Sequence, residues 1–176
     1  MPDKPDVRFA IFRAADAPSL EDSGVMETVP PSESVLQGIH EVLKTGVNDG
    51  HFTRVLFSQA GVSLAYAWFK SGFPLPRHSH NCDCLYFIVG GTLRIGTEEL
   101  AKGDGFFVGR DVPYTYTPGE HGVEVLEFRT AEKFDIKVLA SNQAFWAKAA
   151  VTTLAKKGPW SNELVPPSGL TNALSS

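Results

Sequence analysis

The residues best suited to chemistry lie between Gly72 and Gly91, in the sequence GFPLPRHSHNCDCLYFIVGG. His78 and His80 are separated by one residue, so on an extended strand both imidazoles point to the same side. Two imidazoles that converge on one point suit a transition metal, because imidazole nitrogen is a ligand for several such ions. The stretch therefore predicts a metal site if this side of the strand faces the interior.

A further candidate ligand, Cys84, lies on the strand that follows. Cys84, Tyr86 and Ile88 share one face of that strand, and the near-continuous apolar run indicates that both of its faces are covered. A thiolate or phenolate ligand requires a metal that drives deprotonation, because the ordinary pKa values are about 8.5 and 10. Zinc or ferric iron can do this, whereas a weakly bound ion cannot.

The spacing of this stretch resembles the first motif of the cupin superfamily. That motif has a Gly, five residues, His-x-His, a short spacer, a Glu ligand, six residues and a Gly. Gly72, His78, His80 and Gly91 match in register, and Cys84 stands at the position of the Glu ligand. The resemblance implies an RmlC-like cupin with an altered ligand set.

The segment 103–114 is similar to the second cupin motif, which ends in a further His ligand. Its Gly-Asp turn matches, but Tyr114 stands at the position of that His. Typical metal-binding cupins present three His and a Glu to iron, manganese, nickel or zinc, and this chain keeps two of the His. The two motifs together cover roughly half of the chain.

Candidates for the absent ligands carry a thiol, a carboxylate or a phenol: Cys84, Asp83, Tyr114 and Glu127. Cys84 is favoured because it lies in the ligand register. We therefore predict His78, His80 and Cys84 as the ligands of a divalent transition metal, with iron or zinc first and manganese or nickel as alternatives.

Aromatic residues near the motifs predict the walls of a substrate site. Tyr114 is the candidate catalytic residue, because a phenol at the position of the absent His supplies a hydrogen-bond donor and an acid where a substrate would bind. The expected substrate-binding residues face the same interior: Tyr66, Trp68, Tyr86, Tyr116 and Glu127.

The elements that must position these residues are mostly strands. A chain of 176 residues with 43% hydrophobic content is enough for one domain with its own core. From His51 to about Arg129 the apolar residues alternate with a period of two, with turns expected at Gly90-Gly91 and Pro118-Gly119. The predicted strands are Phe52–Ser58, Val62–Lys70, Cys84–Val89, Thr92–Gly96, Gly105–Gly109, Tyr114–Thr117 and Val123–Arg129. The pattern predicts an all-β, single-domain antiparallel β-barrel, and the resemblance implies the jelly roll (double-stranded β-helix) of cupins.

Residues 1–50 are predicted to form an N-terminal extension. Val7–Phe12 is expected as an edge strand, residues 17–31 as turns, and Ser32 or Ser34 as the cap of a helix that runs to Lys44.

The barrel is assigned to residues 51–132, and residues 133–176 are predicted as a C-terminal helix and tail. The helix is expected from Ser141 to near Gly158. The helix and tail are expected to pack on the barrel or on a partner subunit, with the tail from Pro159 onward either poorly ordered or lying across that partner.

Composition excludes several kinds of partner. The net charge is −4 and no run of Lys or Arg provides a basic face, so nucleic acid is not expected. The sequence has no membrane-length apolar segment and no secretory leader at its start, which predicts a cytoplasmic protein. A homodimer is expected because such barrels have edges and faces to cover.

Three functions fit these residues. The first is a metal-dependent oxygenase, such as a dioxygenase, or a lyase acting on a small organic acid or ketone, with an aromatic substrate as one option. The second is a cupin that binds a small ligand without turnover. The third is a metal-independent isomerase that uses His and Tyr as base and acid.

Overall fold

The computed structural model describes residues 7–170, and its core is built from strands. Nine strands run through this part of the chain, labelled β1 to β9 in order: Met26–Thr28, His51–Gln59, Val62–Phe69, His78–Ser79, Cys84–Ile95, Glu98–Ala101, Gly105–Val108, Thr117–Arg129 and Phe134–Val138. Three α-helices, α1 to α3, span Leu20–Ser23, Glu33–Leu43 and Gln143–Asn162. No helix in residues 7–170 is long and apolar enough to cross a membrane.

The strands form two sheets whose inner faces share one core. The larger sheet has the order β2-β3-β8-β5-β6, with β7 also paired to β5, and all of its pairings are antiparallel. The smaller sheet has the order β1-β9-β4, and its β1–β9 pair is parallel. Ile88, Val125 and Phe134 are buried members of the shared core. The predicted β-rich jelly roll with helical extensions is confirmed, in the form of two sheets around a core.

Two predicted turns are wrong, because the chain passes through both places as continuous strand. Gly90-Gly91 lies inside β5, and Pro118-Gly119 lies inside β8. Gly91 has a φ of +73°, and a Cβ there would lie 2.1 Å from the carbonyl oxygen of Gly122 on β8. The glycine pair therefore allows close approach at an irregularity in β5, where the register shifts on both sides.

Four strands are absent from the prediction: β1, β4, β6 and β9. Each has five residues or fewer, which is too short for an alternating pattern to be visible. Conversely, the predicted strand Tyr114–Thr117 is reduced to an isolated bridge between Tyr114 and His78, with β8 beginning at Thr117.

The N-terminal segment keeps its predicted helix and loses its predicted strand. Helix α2 confirms the expectation for this region, and Ser32 stands at its N-cap position, although the Ser32 side chain makes no capping hydrogen bond. Val7–Phe12 is not a strand. In this segment Phe9 is 83% exposed and Ile11 is 66% exposed, so the apolar side chains have little to pack against.

Helix α3 begins and ends later than predicted. Asn142, rather than Ser141, caps its start through its side chain. The helix continues past Gly158 because Trp160 is completely buried and donates from Nε1 to the Ser71 carbonyl oxygen at 2.9 Å.

The tail after α3 packs on the larger sheet. Ser168 donates from its backbone N and from Oγ to the buried Glu124 carboxylate, at 2.5 and 2.8 Å. Glu124 therefore binds residues 163–170 to the sheet of their own chain. Residues 171–176 lie outside the described residues.

Candidate functional site

A partly open cavity of about 200 Å³ lies between the two sheets. Its polar lining includes His51, His78, His80, Tyr114, Glu127 and Arg129. Its apolar lining includes Leu20, Met26, Phe69, Phe73, Leu75 and Ile136. Residues from α1 and β1 therefore contribute to the wall, and the N-terminal region is part of the site as well as an extension.

Backbone pairing fixes His78 against Tyr114. His78 N donates to the Tyr114 carbonyl at 3.0 Å, and Tyr114 N donates to the His78 carbonyl at 2.9 Å, so both side chains emerge on one side. The His78 Nδ1 atom lies 2.8 Å from the carbonyl oxygen of Pro76, which can only accept, so Nδ1 carries the hydrogen. Burial is the main cause that lowers the pKa of His78 and keeps the ring neutral.

These constraints set the direction of a chain of hydrogen bonds. Because neutral His78 has its lone pair on Nε2, the Tyr114 hydroxyl at 2.9 Å must be the donor to it. The Tyr86 hydroxyl contacts the Tyr114 hydroxyl and therefore donates to it. Burial raises the pKa of both phenols, so Tyr86 and Tyr114 stay protonated.

His80 presents an unpartnered nitrogen to the cavity. Its Nδ1 donates to the Asp135 carbonyl oxygen at 2.5 Å, which leaves the lone pair on Nε2. Asp135 is itself fixed by reciprocal bonds with Asn81, at 2.9 and 3.0 Å. Among residues 7–170, His80 Nε2 has no hydrogen-bond partner. Burial, followed by the charge of Arg129, lowers the pKa of His80 to about 3.

A buried ion pair lies beside the histidines. Arg129 Nη2 donates to Glu127 Oε2 at 2.6 Å, and the two residues are 2% and 7% exposed. The guanidinium carbon lies 4.1 Å above the ring of Phe134, which covers one face of the group. Arg129 Nε and Nη1 are buried and have no partner among the described residues. Such buried donors are rare and call for an explanation.

Tyr86 and Tyr116 lie at the inner end of the site. Tyr116 lines the cavity, and its ring is 6.0 Å from that of Phe69. Tyr86 is behind Tyr114, and its ring stacks on Phe106 at a centroid distance of 4.5 Å. Tyr116 therefore lies at the cavity surface, whereas Tyr86 is connected to the cavity through its hydrogen bond to Tyr114.

Cys84 is not placed as a metal ligand. Its side chain is 1% exposed in the core, it does not line the cavity, and Sγ points to the Cys82 carbonyl oxygen at 3.6 Å. Contact with the Cys82 thiol, and then burial, raise the pKa of Cys84, so the thiol stays protonated. Asp83 is also turned away, because its Oδ1 accepts from the backbone N of Arg110 at 2.9 Å.

Tyr66 and Trp68 do not share this interior, and the expectation that they face it is wrong. They form a separate cluster with Phe52, Leu56 and Leu126. The Tyr66 hydroxyl donates to Glu124 at 2.6 Å, beneath the tail. Trp68 lines a separate open groove at the end of α3. Both residues are buried because other parts of the chain cover their side of the sheet, so burial alone could not identify the face.

Two residues of the site were missed by the sequence reasoning. Arg129 lies two positions after Glu127 on β8, so the strand period alone places it on the same inner face. Its charge argued against an interior position. His51 begins β2 and shares a face with buried Val55, which is the signal that could have identified it.

Two residues of the site, His78 and His80, have the geometry of transition-metal ligands. His78 and His80 both hold their Nδ1 hydrogens on backbone carbonyls and direct Nε2 inward, which is the tautomer that metal-binding histidines use. Their ring centroids are 5.1 Å apart. Within residues 7–170, no cluster of three or more His, Cys, Asp and Glu residues could hold a metal ion. Any further ligands would have to be Tyr114 or a bound small molecule.

No family model matches this chain, and no curated protein sequence does. Solved structures do match in fold. The polyketide cyclase RemF from Streptomyces resistomycificus has a TM-score of 0.50 and 15% identity, over 60% of this chain and 84% of RemF.

Two further structures are similar over a smaller share of this chain. KdgF from a Halomonas species has a TM-score of 0.43 and 15% identity, over 47% of this chain and 81% of KdgF. An RmlC-like cupin from Shewanella frigidimarina has a TM-score of 0.42 and 22% identity, over 47% of this chain and 78% of that protein. At these identities the likeness is one of fold.

Proposed function

We propose that this chain is a cupin and that its cavity is the active site of an enzyme that moves protons on a small organic substrate, as an isomerase or lyase does. The observation that carries the proposal is His80, which lines the cavity with its Nδ1 held by a backbone carbonyl and with no hydrogen bond to Nε2 from residues 7–170. A general base requires a free lone pair within reach of substrate.

Tyr114 would supply the complementary donor. Tyr86 donates to the Tyr114 oxygen, so the single Tyr114 hydrogen points away from Tyr86. That hydrogen is held by His78 Nε2 and can transfer its hydrogen bond to a substrate oxygen. A fixed donor at this place would stabilise negative charge that develops on a carbonyl oxygen when a proton leaves the neighbouring carbon.

A second candidate is the metal-dependent oxygenase or lyase, which the two matched histidine tautomers favour. His78 and His80 would hold the ion, and Tyr114 would release His78 Nε2 to do so. A bound metal would polarise a substrate oxygen or activate water.

The exchange of substrate C–H protons with solvent distinguishes the two candidate functions. We would incubate the protein in D₂O with small ketones, keto acids and hydroxy acids and follow the loss of C–H signals by NMR. The proposal expects exchange that persists in chelator and is lost in His80→Gln. Tyr114→Phe is expected to slow it by about 10²-fold or more.

Other results point elsewhere. Exchange that chelator abolishes and that iron or zinc restores would favour the second candidate. Saturable ligand binding without exchange on any compound would instead favour a cupin that binds its ligand without turnover, and would contradict the proposed enzyme.

A further inference from the structure

The unexplained feature of the site is the free part of the Arg129 guanidinium. Only Nη2 has a partner among residues 7–170, although Arg129 is 2% exposed and lines the cavity. A guanidinium stays charged in proteins and carries five N–H donors. Burying its Nε and Nη1 without partners is unfavourable unless something in the cavity accepts their hydrogen bonds.

We propose that the substrate of this cavity carries a carboxylate, and that the carboxylate binds the free donors of Arg129. The inference rests on the proposed function, since it takes the cavity to be the substrate site. Charge-assisted bonds between guanidinium and carboxylate are about twice as strong as neutral hydrogen bonds. Phe134 holds one face of the guanidinium and Glu127 holds Nη2, so the group is fixed before the ligand arrives.

The cavity also limits the size of the ligand. Its volume is about 200 Å³, below the range of about 300–1,000 Å³ for sites that hold drug-sized molecules. Phe69, Phe73 and Leu75 form an apolar wall. The predicted ligand is therefore a small acid with one charged end and a compact apolar or aromatic body.

Matched pairs of acids and amides test the inference by titration calorimetry. The probes are acetate, pyruvate and benzoate, each compared with its primary amide of nearly the same shape. For at least one pair we expect the acid to bind about 10- to 100-fold more tightly than the amide. Equal affinity within every pair, or no saturable binding of any acid, overturns the inference.

Variants test whether Arg129 is the positive charge that binds the acid. The double variant Glu127→Gln with Arg129→Met removes both charges together and is expected to lose the preference for acids, whereas Arg129→Lys keeps part of it. Acid preference that survives in a folded double variant overturns the role of Arg129. Should the double variant not fold, the acid and amide comparison on the native chain still decides.

The outcomes separate this inference from the proposed function. Proton exchange on substrates without acid preference would contradict the carboxylate inference alone. Acid preference that survives in His80→Gln, with no exchange in any variant, would contradict the enzymatic proposal and leave the carboxylate site in place.

A second inference comes from the opposite face of the same strands. An apolar row crosses five strands of the larger sheet, each residue paired with the next: Phe107, Leu85, Phe128, Leu64 and Phe57. Phe107 is 64% exposed, Leu85 is 52% exposed and Phe128 is 39% exposed. Phe87, two residues along β5, is 49% exposed. The largest apolar patch on a soluble protein is usually about 300–600 Å², and it often has a function.

We infer that this row is the interface with a second copy of the chain. With about 150–250 Å² for each aromatic side chain, the exposed fractions give a patch of about 400 Å². Two such patches face to face would bury about 800 Å², and the polar rim around them would supply the rest of the roughly 1,200–2,000 Å² that stable interfaces bury. A flat row on one sheet is self-complementary about a two-fold axis, as dimers require.

Light scattering after size-exclusion chromatography tests the interface. We expect a dimer for the native chain and a monomer for Phe107→Glu. Leu154→Glu is the matched control, because Leu154 is 63% exposed on α3, away from the row. A monomeric native chain, equal behaviour of the two variants, or binding of the row to lipid vesicles would overturn this inference.

Discussion

The two faces of β5 and β8 reverse the usual distribution of side chains, because charged groups are buried on one face and apolar groups are exposed on the other. The inner face buries an ion pair, Glu127 with Arg129, at 7% and 2% exposure, whereas the outer face leaves Leu85 and Phe128 at 52% and 39% exposure. Water normally favours the opposite distribution. The acidic ligand proposed for the inner face and the second copy of the chain proposed for the outer face account for this difference.

The largest effect is expected on the inner face, for Arg129→Met. This change leaves the Glu127 carboxylate buried without its partner, which costs about 3–5 kcal/mol of unfolding free energy. Adding Glu127→Gln removes the unpaired charge and should recover much of the loss. Urea denaturation of both variants measures the difference. Equal losses would mean that the pair is not coupled.

Ile88 and Leu85 lie on opposite faces of β5 and allow a direct comparison of the two faces. Ile88→Ala empties a fully buried site and should cost about 2–5 kcal/mol at any protein concentration. Leu85→Ala should cost under about 1 kcal/mol when the protein is dilute. At high concentration its deficit should grow, because the proposed dimer would add stability to the native chain. A deficit for Leu85→Ala that is independent of concentration would count against the outer interface.

The inner face should also make stability depend on pH. The folded pKa of His80 is lowered to about 3, so below the unfolded value of about 6.5 the unfolded chain takes up a proton that the folded chain does not. Stability is therefore lost as pH falls. Between pH 7 and 5 the native chain should lose about 2 kcal/mol more than His80→Gln. His51 and His78 also have lowered pKa values, so both proteins should weaken in acid. Parallel curves in chemical denaturation would contradict this role for His80.

Spacing was enough to predict that His78 and His80 line the same cavity, because His80 directly follows the short strand β4 that His78 begins, and alternate side chains of extended chain share a face. The side to which a thiol turns is not encoded in spacing. Cys84 occupies the ligand register, yet its Sγ is directed to the Cys82 carbonyl oxygen and away from the cavity. The metal-ligand role of Cys84 stays a prediction without support from the geometry.

Alternation also failed where both faces of a strand are covered. Trp68 and Phe69 are adjacent on β3 and are 5% and 8% exposed, since other segments cover the side that would otherwise meet water. Arg129 was missed for the opposite reason. The alternation along β8 does place Arg129 on the inner face with Glu127. A charged residue is predicted to be buried only when the residue that pairs with it is known.

The smallest expected effect separates two tyrosines that the sequence analysis placed in the same interior, Tyr114 as the catalytic residue and Tyr66 as a substrate-binding residue. Tyr66→Phe and Tyr114→Phe each remove one buried hydroxyl, which donates to Glu124 in the first case and to His78 in the second. Each should cost about 1 kcal/mol of stability, with somewhat more where the acceptor stays buried and unpaired. Only Tyr114→Phe should change carboxylate binding or proton exchange, because Tyr66 lies outside the cavity. If Tyr66→Phe slowed exchange as much as Tyr114→Phe, the active site could not be confined to the inner face.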